Sequence, residues 1–510
     1  MSYGRKVGLQ FDVRIVLMNS AETLDRPFAI EDMPPIIQGG MGVRASSAYL
    51  AGAVASEGGV GIVSGTLMGL VLARNLQRGD EDFKRIIETE FPDEEIKDRI
   101  LSRYFVEGGI PEGQSYENVP MLGHRPIEMA EDLNLVGVFA EVRLAKERAG
   151  GKGVIGVNLL TKLQEPTPSG LHGAMLAGAG VVIMGAGLPK HIPGMLDDIA
   201  MRRPTKNLLT VKGAPDGTFS MTYDAENRYP GLKDVELTRP SFLAIVSTKM
   251  AARVAVDKSS PPDGFIVERP SAGGHNAPPR EKDNFNSRGE PIYTDRDEVD
   301  QEYLNDAGLP YWMAGGHADP EVLKRAVEQG ANGVQVGSAF ALAEESGLVD
   351  KQRIVNAIMG GEDLDVYTDP LASPTGYPFK VVSLGGTLSE SDVYAARTRV
   401  CDIGVLREMY RKDDGTIGYR CPSEPEANFM RKGGELPATI GRKCLCNGLV
   451  AEIGLGQVTP DGSVERSIIT GADRINENAR DVMAHAGRSP NADGSWSLYT
   501  ASDVMNYMRS

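Results

Sequence analysis

Eight short apolar runs, separated by segments with helical periodicity, are the feature that most constrains this fold. Most of the runs are uninterrupted Val, Ile, Met and Leu residues, as in parallel strands that are buried on both faces. The predicted strands are Pro35–Gly40, Val60–Ser64, Val154–Leu160, Val181–Gly185, Phe242–Ser247, Phe265–Glu268, Tyr311–Ala314 and Gly333–Gly337. The helices predicted between them include Ser46–Glu57, Ile127–Arg148, Lys249–Val256 and Asp319–Glu328. In the last of these, Asp319 is the expected N-cap and Pro320 the first helical residue.

Eight alternating strand and helix units predict an α/β fold, a (β/α)8 TIM barrel with insertions after several strands and a C-terminal extension. Because the insertions follow strands, we expect them to build a lid or a dimer contact at the carboxyl ends of the barrel strands. The last stretch, Thr500–Ser510, reads as a short helix capped by Ser502. The predicted division is an N-terminal segment (1–30), the barrel (31–360) with insertions 66–125, 201–240 and 276–310, and the extension (361–510).

Charge and hydropathy exclude several classes of protein. The 54 Lys and Arg residues against 70 Asp and Glu residues give a formal charge of −16, which argues against a general nucleic-acid binder. No apolar run reaches the roughly 18 residues that a membrane span requires. The first residues lack the apolar core of a signal peptide. The sequence therefore predicts a cytoplasmic protein that binds neither nucleic acid nor membrane.

Glycine-rich motifs follow several of the predicted strands. One is Gln38-Gly39-Gly40-Met41-Gly42 at the end of the first strand, where glycines permit close approach to a ligand or simply a tight turn. Another is Ser271–Asn276, in which His275 follows Gly273 and Gly274. A histidine there is either a base in the barrel mouth or a loop residue that caps a turn.

Two further glycine loops follow the seventh and eighth predicted strands. They contain Gly315 and Gly316, and Gly337 and Ser338, at the place where barrels commonly bind phosphate. We therefore predict phosphate binding, with His317 in a structural role. A dinucleotide fold is excluded, because Gly185-Ala186-Gly187 lacks the third glycine of the fingerprint.

All four cysteines lie in the predicted extension. Four thiolates suit zinc or an iron–sulfur cluster, but their spacing is not that of a typical metal motif. Buried free thiols and a redox or disulfide role are the alternatives. The candidate metal ligands are Cys401, Cys421, Cys444 and Cys446.

Five motifs can be compared with known families. They are PIIQGGMG at 35–42, GVNLL at 156–160, SAGGH at 271–275, MAGGHADPEVLKRAVEQGANGVQVGSAFALAEES at 313–346 and SPTGYPFKVV at 373–382. Together they resemble the nitronate monooxygenase family, also called 2-nitropropane dioxygenases, and the related FMN-dependent enoyl-acyl-carrier-protein reductases. The resemblance covers about residues 31 to 382 and implies an FMN-containing TIM barrel.

The resemblance implies roles for single residues. Gln38, Gly39, Gly40 and Met41 would lie along the flavin ring, with Asn158 at its polar edge and Gly273 and Gly274 also against the cofactor. Gly315, Gly316, Gly337 and Ser338 would hold the phosphate. His275 stands at the position of the family's catalytic histidine.

The implied activity is the oxidation of alkyl nitronates or nitroalkanes by dioxygen on FMN. Where relatives often have Glu-Ala-Gly-Gly-His, this chain has Ser271 in place of the Glu, which leaves the substrate open. The alternatives are an NAD(P)H-dependent enoyl-thioester reductase acting in trans and a flavin- or metal-binding accessory protein.

Overall fold

The computed structural model describes residues 27–187, 189–256 and 260–510. The predicted N-terminal segment, residues 1–30, therefore lies almost wholly outside the described residues. The strands are β1 (Ile36–Gln38), β2 (Val60–Ser64), β3 (Val154–Leu160), β4 (Val181–Gly185), β5 (Thr205–Leu209), β6 (Phe219–Tyr223), β7 (Ser241–Val246), β8 (Gly264–Glu268), β9 (Tyr311–Ala314), β10 (Gly333–Val336), β11 (Val366–Asp369), β12 (Phe379–Val382), β13 (Glu408–Arg411) and β14 (Ile417–Arg420).

Helices alternate with these strands and also fill the insertions and the extension. Short 3-10 turns lie at Ile30–Asp32, Pro230–Leu232, Asp295–Asp297 and Leu436–Thr439. The α-helices are α1 (Ala48–Ser56), α2 (Met68–Gln77), α3 (Glu81–Glu90), α4 (Glu94–Tyr104), α5 (Glu128–Ala149), α6 (Thr167–Leu176), α7 (Ile192–Ala200), α8 (Ala225–Arg228), α9 (Lys249–Val256), α10 (Gln301–Ala307), α11 (Pro320–Glu328), α12 (Ser338–Ala341), α13 (Lys351–Met359), α14 (Ser391–Ala396), α15 (Glu426–Arg431), α16 (Leu445–Ala451), α17 (Ile475–His485) and α18 (Ala501–Met508).

Eight parallel strands form a closed barrel in the order β1, β10, β9, β8, β7, β4, β3, β2. The barrel closes where Ile36 of β1 pairs with Val334 of β10. Side chains inside it are buried and apolar, among them Ile62, Leu243 and Trp312. The predicted TIM barrel is thus confirmed, and each predicted barrel strand agrees with an observed one to within two residues at either end.

Each predicted insertion adds its own secondary structure beside the barrel. Residues 66–125 contain α2, α3 and α4, residues 201–240 contain the antiparallel β5–β6 pair, and residues 276–310 contain α10. Asp319 caps α11 as predicted, since its Oδ1 accepts the N–H of Glu321 at 2.9 Å. The prediction for the last helix was wrong in one detail. Thr500 caps α18, while the Ser502 hydroxyl bonds the Glu57 carboxylate.

The extension packs on the carboxyl ends of the barrel strands. Lys380 of β12 donates its N–H to the carbonyl of Gly274, and Asn276 donates its N–H to the carbonyl of Pro378. These contacts place residues after 360 beside the loop that carries His275. No helix in the described part of the chain is long and apolar enough to cross a membrane.

Candidate active site

A cavity of about 510 Å³ opens at the carboxyl ends of the barrel strands. Its volume is within the usual range for pockets that hold a small molecule or cofactor, roughly 300–1,000 Å³. Loops from β1, β3, β8, β9 and β10 converge on it, as do residues of the extension. The predicted site residues in its lining are Gly39, Gly40, Met41, Asn158, Gly273, Gly274, His275, Gly315, Gly316, Gly337 and Ser338.

Gln38 is the predicted cofactor-binding residue that does not line this cavity. Its side chain is fully buried. The amide nitrogen donates to the Ser46 hydroxyl at 2.8 Å, and the amide oxygen accepts the N–H of Ile62 at 3.1 Å. Gln38 therefore ties the loop after β1 to β2, and its contribution to the cavity is indirect.

The main chain at the glycines after β1 packs so closely against neighbouring side chains that it leaves no room for a Cβ, whether or not a ligand is bound. A Cβ on Gly40 would lie 2.3 Å from the Cβ of Asn158, and one on Gly39 would lie 3.0 Å from Gln335. Both neighbouring side chains are amides in the cavity wall. Larger residues at 39 or 40 would therefore displace the polar groups that face the cavity.

Two amide oxygens in this wall are buried without a hydrogen-bond partner among the described residues. They are Oδ1 of Asn158 and Oε1 of Gln335. Buried polar atoms are almost always hydrogen-bonded, so unpartnered acceptors in a cavity are positions where the N–H or O–H of a ligand or water would bond. The imide N–H of a flavin ring is such a donor. The wall therefore fits the FMN that the sequence implies, and Gln335 adds a residue that the motifs did not single out.

The loops after β9 and β10 lie side by side at one end of the cavity. Gly315 and Gly316 adopt left-handed backbone conformations, with φ of 94° and 73°. The Ser338 hydroxyl accepts the N–H of Ala472 at 2.8 Å and keeps its own proton free to donate. Arg474 lies near this loop, since a Cβ on Gly316 would be 3.9 Å from its Cδ. A phosphate at this end would lie against the main chain of the two glycine loops and near the Arg474 guanidinium.

His317, next to these glycines, is buried, and burial lowers its pKa to about 4. It is therefore neutral near pH 7. Its side chain also lines the cavity, and the structural role predicted from the sequence stays a prediction.

His275 stands in the cavity wall on the loop after β8. Its Nε2 lies 2.7 Å from the Ser373 hydroxyl, and its ring meets Phe379 edge to face at 4.9 Å between centroids. Burial, and then the nearby Lys162 charge, lower the His275 pKa to about 3. The imidazole is therefore neutral near pH 7. Because Nε2 is engaged with Ser373, Nδ1 is the ring nitrogen left to act on a ligand.

Lys162, which follows β3, connects to the same histidine through hydroxyl groups. Its Nζ lies 3.0 Å from Oγ1 of Thr375 and 2.9 Å from the centre of the Tyr377 ring. The Thr375 and Ser373 hydroxyls are 2.8 Å apart. Burial lowers the Lys162 pKa to about 7. None of the sequence motifs connects Lys162 with the site.

Two further acids line the cavity without having been predicted. Glu268 ends β8, and burial raises its pKa to about 7. Glu452 follows α16 and is also buried, which raises its pKa well above the usual range. Its Oε1 has no hydrogen-bond partner in the described part of the chain. The position of Glu268 at the end of a predicted strand could have identified it from the sequence. Glu452 reaches the cavity only through the folding of the extension.

All four cysteines are free thiols, with Cys401 exposed and the other three buried. Desolvation raises the pKa of Cys401 to about 11 and that of Cys421 to about 12, so both thiols remain protonated. Within the described residues, no group of three or more His, Cys, Asp or Glu side chains is arranged to hold a metal ion. The structure does not assemble the predicted zinc or iron–sulfur site, and free thiols describe what is observed. Cys446 also lines the cavity.

The fold and the site define a TIM-barrel protein with a ligand cavity at the carboxyl ends of the strands. A family model described as nitronate monooxygenase matches residues 222–366. That range contains the loop with His275 and both predicted phosphate loops. The predicted resemblance to the nitronate monooxygenase family is confirmed over this part of the chain.

Similar solved structures are distant in sequence. FabK from Thermotoga maritima is 16% identical, with 93% of this chain and 91% of that chain covered and a TM-score of 0.42. Nitroalkane oxidase from Streptomyces ansochromogenes is 12% identical, with 94% and 96% covered and a TM-score of 0.41. The enoyl reductase domain of MlnA from Bacillus amyloliquefaciens is 11% identical, with 93% of each chain covered and a TM-score of 0.45. A comparison with curated proteins found no matching sequence. None of these likenesses identifies a reaction.

Proposed function

We propose that the protein is an FMN-dependent oxidoreductase that oxidises alkyl nitronates or nitroalkanes with dioxygen, as nitronate monooxygenases do. The observation that carries the proposal is the neutral imidazole of His275 in a cavity whose wall has unpartnered acceptors. The oxygens of Asn158 and Gln335 fit the donor edge of a flavin ring. The backbone at Gly315 and Gly316, with Ser338, would hold the phosphate.

When bound, FMN supplies the exchange of electrons with the substrate and dioxygen. The protein supplies position and proton transfer. A neutral nitroalkane must lose its α-proton to become a nitronate, and Nδ1 of His275 is the available acceptor in the wall. A nitronate has already lost this proton, so its oxidation does not need the base.

This difference gives a test of the assigned base. In His275→Gln, we expect turnover of neutral nitroethane to fall by about 10²–10⁴-fold, the usual contribution of a positioned base. Turnover of ethyl nitronate should fall far less. The exposed His485, at the end of α17, provides the control, since His485→Gln should leave both rates unchanged. Equal rates for wild type and His275→Gln on nitroethane would contradict the assignment.

The cofactor is tested by the absorbance spectrum and flavin content of the purified protein. A protein that neither carries FMN nor binds it when it is added would refute the proposal. Turnover that depends on His275 would in turn contradict a purely accessory role.

A second candidate function is an NAD(P)H-dependent enoyl-thioester reductase. It is favoured by an apolar path beside the main cavity. A smaller cavity of about 50 Å³ shares Leu67 and Val405 with the main cavity. That second cavity is lined mainly by apolar residues such as Val119, Met121 and Leu133. Such a path would accommodate part of an acyl chain, whereas a small nitroalkane has no need of it.

An anaerobic titration separates the two candidates. Rapid bleaching of the flavin by NADH or NADPH, followed by reoxidation with an enoyl thioester, would favour the reductase. Bleaching by propionate 3-nitronate with no response to either nicotinamide would favour the nitronate oxidation.

A further inference from the structure

A continuous chain of hydrogen bonds leads from Lys162 to His275. Lys162 Nζ lies 3.0 Å from Thr375 Oγ1. Thr375 Oγ1 lies 2.8 Å from Ser373 Oγ, and Ser373 Oγ lies 2.7 Å from His275 Nε2. Ser373 is fully buried, while Lys162 is partly exposed. The chain thus joins a cavity histidine to a lysine that solvent can reach.

The charge of Lys162 favours one direction of this chain. An ammonium group only donates hydrogen bonds, so Thr375 accepts from it and can donate its own proton to Ser373. Ser373 then donates to Nε2 of His275. A neutral imidazole that accepts at Nε2 carries its proton on Nδ1, where it is a donor toward the cavity.

A neutral amine allows the opposite direction. His275 can then donate from Nε2 to Ser373, Ser373 to Thr375, and Thr375 to the lone pair of the lysine nitrogen. Nδ1 is left with a lone pair and becomes a proton acceptor. The same four side chains therefore support two arrangements, which differ in what His275 presents to a ligand.

We infer that Lys162 is a positioning residue that sets, through Thr375 and Ser373, which ring nitrogen of His275 carries the proton. This inference rests on the proposed function for its use in catalysis, but the arrangement itself exists without substrate. It gives Lys162 a role that the motifs did not assign.

Proton transfer along the chain conserves atoms and charge. When Nδ1–H gives its proton to a ligand, Nε2 takes one from Ser373, Ser373 takes one from Thr375, and Thr375 takes one from the Lys162 ammonium. One N–H bond of Lys162 is lost, one proton reaches the ligand, and no electrons are exchanged. Removal of an α-proton from a nitroalkane reverses each transfer and leaves Lys162 charged.

The surroundings of Lys162 suit a change of protonation near neutral pH. Desolvation lowers its pKa to about 7. The groups that face it are the Tyr377 ring and the neutral His275. Glu165, on the same loop, instead interacts with Tyr419 and Arg407. No carboxylate in the described residues makes a salt bridge with Lys162, so no countercharge stabilises the ammonium form.

The experiment is ¹⁵N NMR of the full-length protein labelled at histidine, recorded without substrate from pH 5.5 to 9. The ¹⁵N shifts distinguish the Nδ1–H and Nε2–H tautomers, and His275→Gln assigns the signal among the six histidines. We expect the Nδ1–H tautomer below pH 7 and the Nε2–H tautomer above it. In Lys162→Met, and in Thr375→Val with its lysine intact, the tautomer should no longer depend on pH.

Lys146 provides the matched control. It is a partly buried lysine on α5 that bonds the carbonyls of Ala177 and Gly178, so Lys146→Met should keep the tautomer change. A single His275 tautomer across the range in wild type would overturn the inference, as would a change that persists in Lys162→Met. Because no turnover is measured, this result is independent of whether nitroalkanes are substrates.

Discussion

The main-chain N–H of Ala472 donates a hydrogen bond of 2.8 Å to the hydroxyl of Ser338. Ser338 begins α12 in the barrel, and Ala472 belongs to the extension. Next to this bond, a Cβ on Gly273 would lie 2.7 Å from the carbonyl carbon of Gly471. The extension thus contacts two loops of the candidate site at the distance of main-chain packing, and it forms part of the cavity wall.

The Ser338 hydroxyl is therefore expected to serve both stability and cofactor binding. In Ser338→Ala, the buried N–H of Ala472 loses its acceptor, which should lower the free energy of unfolding by about 1–3 kcal/mol. The affinity for FMN should also fall, because a phosphate donor is lost. Urea unfolding and flavin fluorescence titration measure the two effects.

The conservative variant Ser338→Thr separates the hydroxyl from the rest of the side chain. It keeps the hydroxyl and should retain most of the stability and most of the FMN affinity. If Ser338→Ala unfolds at the same urea concentration as wild type, the bond to Ala472 is not stabilising.

Local sequence was enough to predict the barrel. Uninterrupted apolar runs such as Val181–Gly185 are buried on both sides in the closed sheet, and their pattern survives folding because each strand is short and continuous. The cap of the last helix shows where prediction from local sequence failed. Ser502 was the predicted cap, but the capping box between Thr500 and Asp503 starts the helix two residues earlier.

The candidate site was predicted where one loop carries its own motif, as in Gly273-Gly274-His275. Its other parts depend on contacts between distant segments. Lys162 and Thr375 are more than two hundred residues apart in sequence, yet their side chains bond at 3.0 Å. Glu452 reaches the cavity through the packing of the extension. The spacing of residues in a single sequence does not predict contacts between such distant segments.

Gly40 is expected to tolerate no side chain. In Gly40→Ala, the new Cβ would lie 2.3 Å from the Asn158 Cβ, so Asn158 must move away from the cavity. Overpacking of this kind costs about 1–3 kcal/mol, and we expect weaker FMN binding as well. Gly385→Ala is the control, because a Cβ there meets no atom within 4 Å. Thermal unfolding and FMN titration of both variants check the prediction, which fails if they behave alike.

Glu268 should make stability depend on pH. Burial raises its pKa to about 7 from an ordinary value of 4.5, so the folded state retains a proton that the unfolded state loses between these values. Stability therefore falls as the pH rises from 4.5 to 7. Glu268→Gln removes this loss. Compared with wild type, the variant should gain up to about 3 kcal/mol in its free energy of unfolding between pH 4.5 and pH 8. Denaturant unfolding at both pH values measures the difference. The exposed Glu362→Gln keeps Glu268, so its stability should fall over this pH range as that of wild type does.

The extension contains a buried ion pair between Arg397 and Glu465. Their side chains are 6% and 3% exposed and bond twice, at 3.0 Å and 2.5 Å. In Glu465→Gln, the buried guanidinium loses its countercharge, which should lower the free energy of unfolding by about 3–5 kcal/mol. The exposed pair of Arg480 and Asp363 is the comparison, since Asp363→Asn should cost less than about 1 kcal/mol. Because the extension forms part of the cavity wall, Glu465→Gln should also weaken FMN binding, whereas Asp363→Asn should not. Urea unfolding and flavin titration of the two variants test both statements, and equal losses would show that burial of the pair is unimportant.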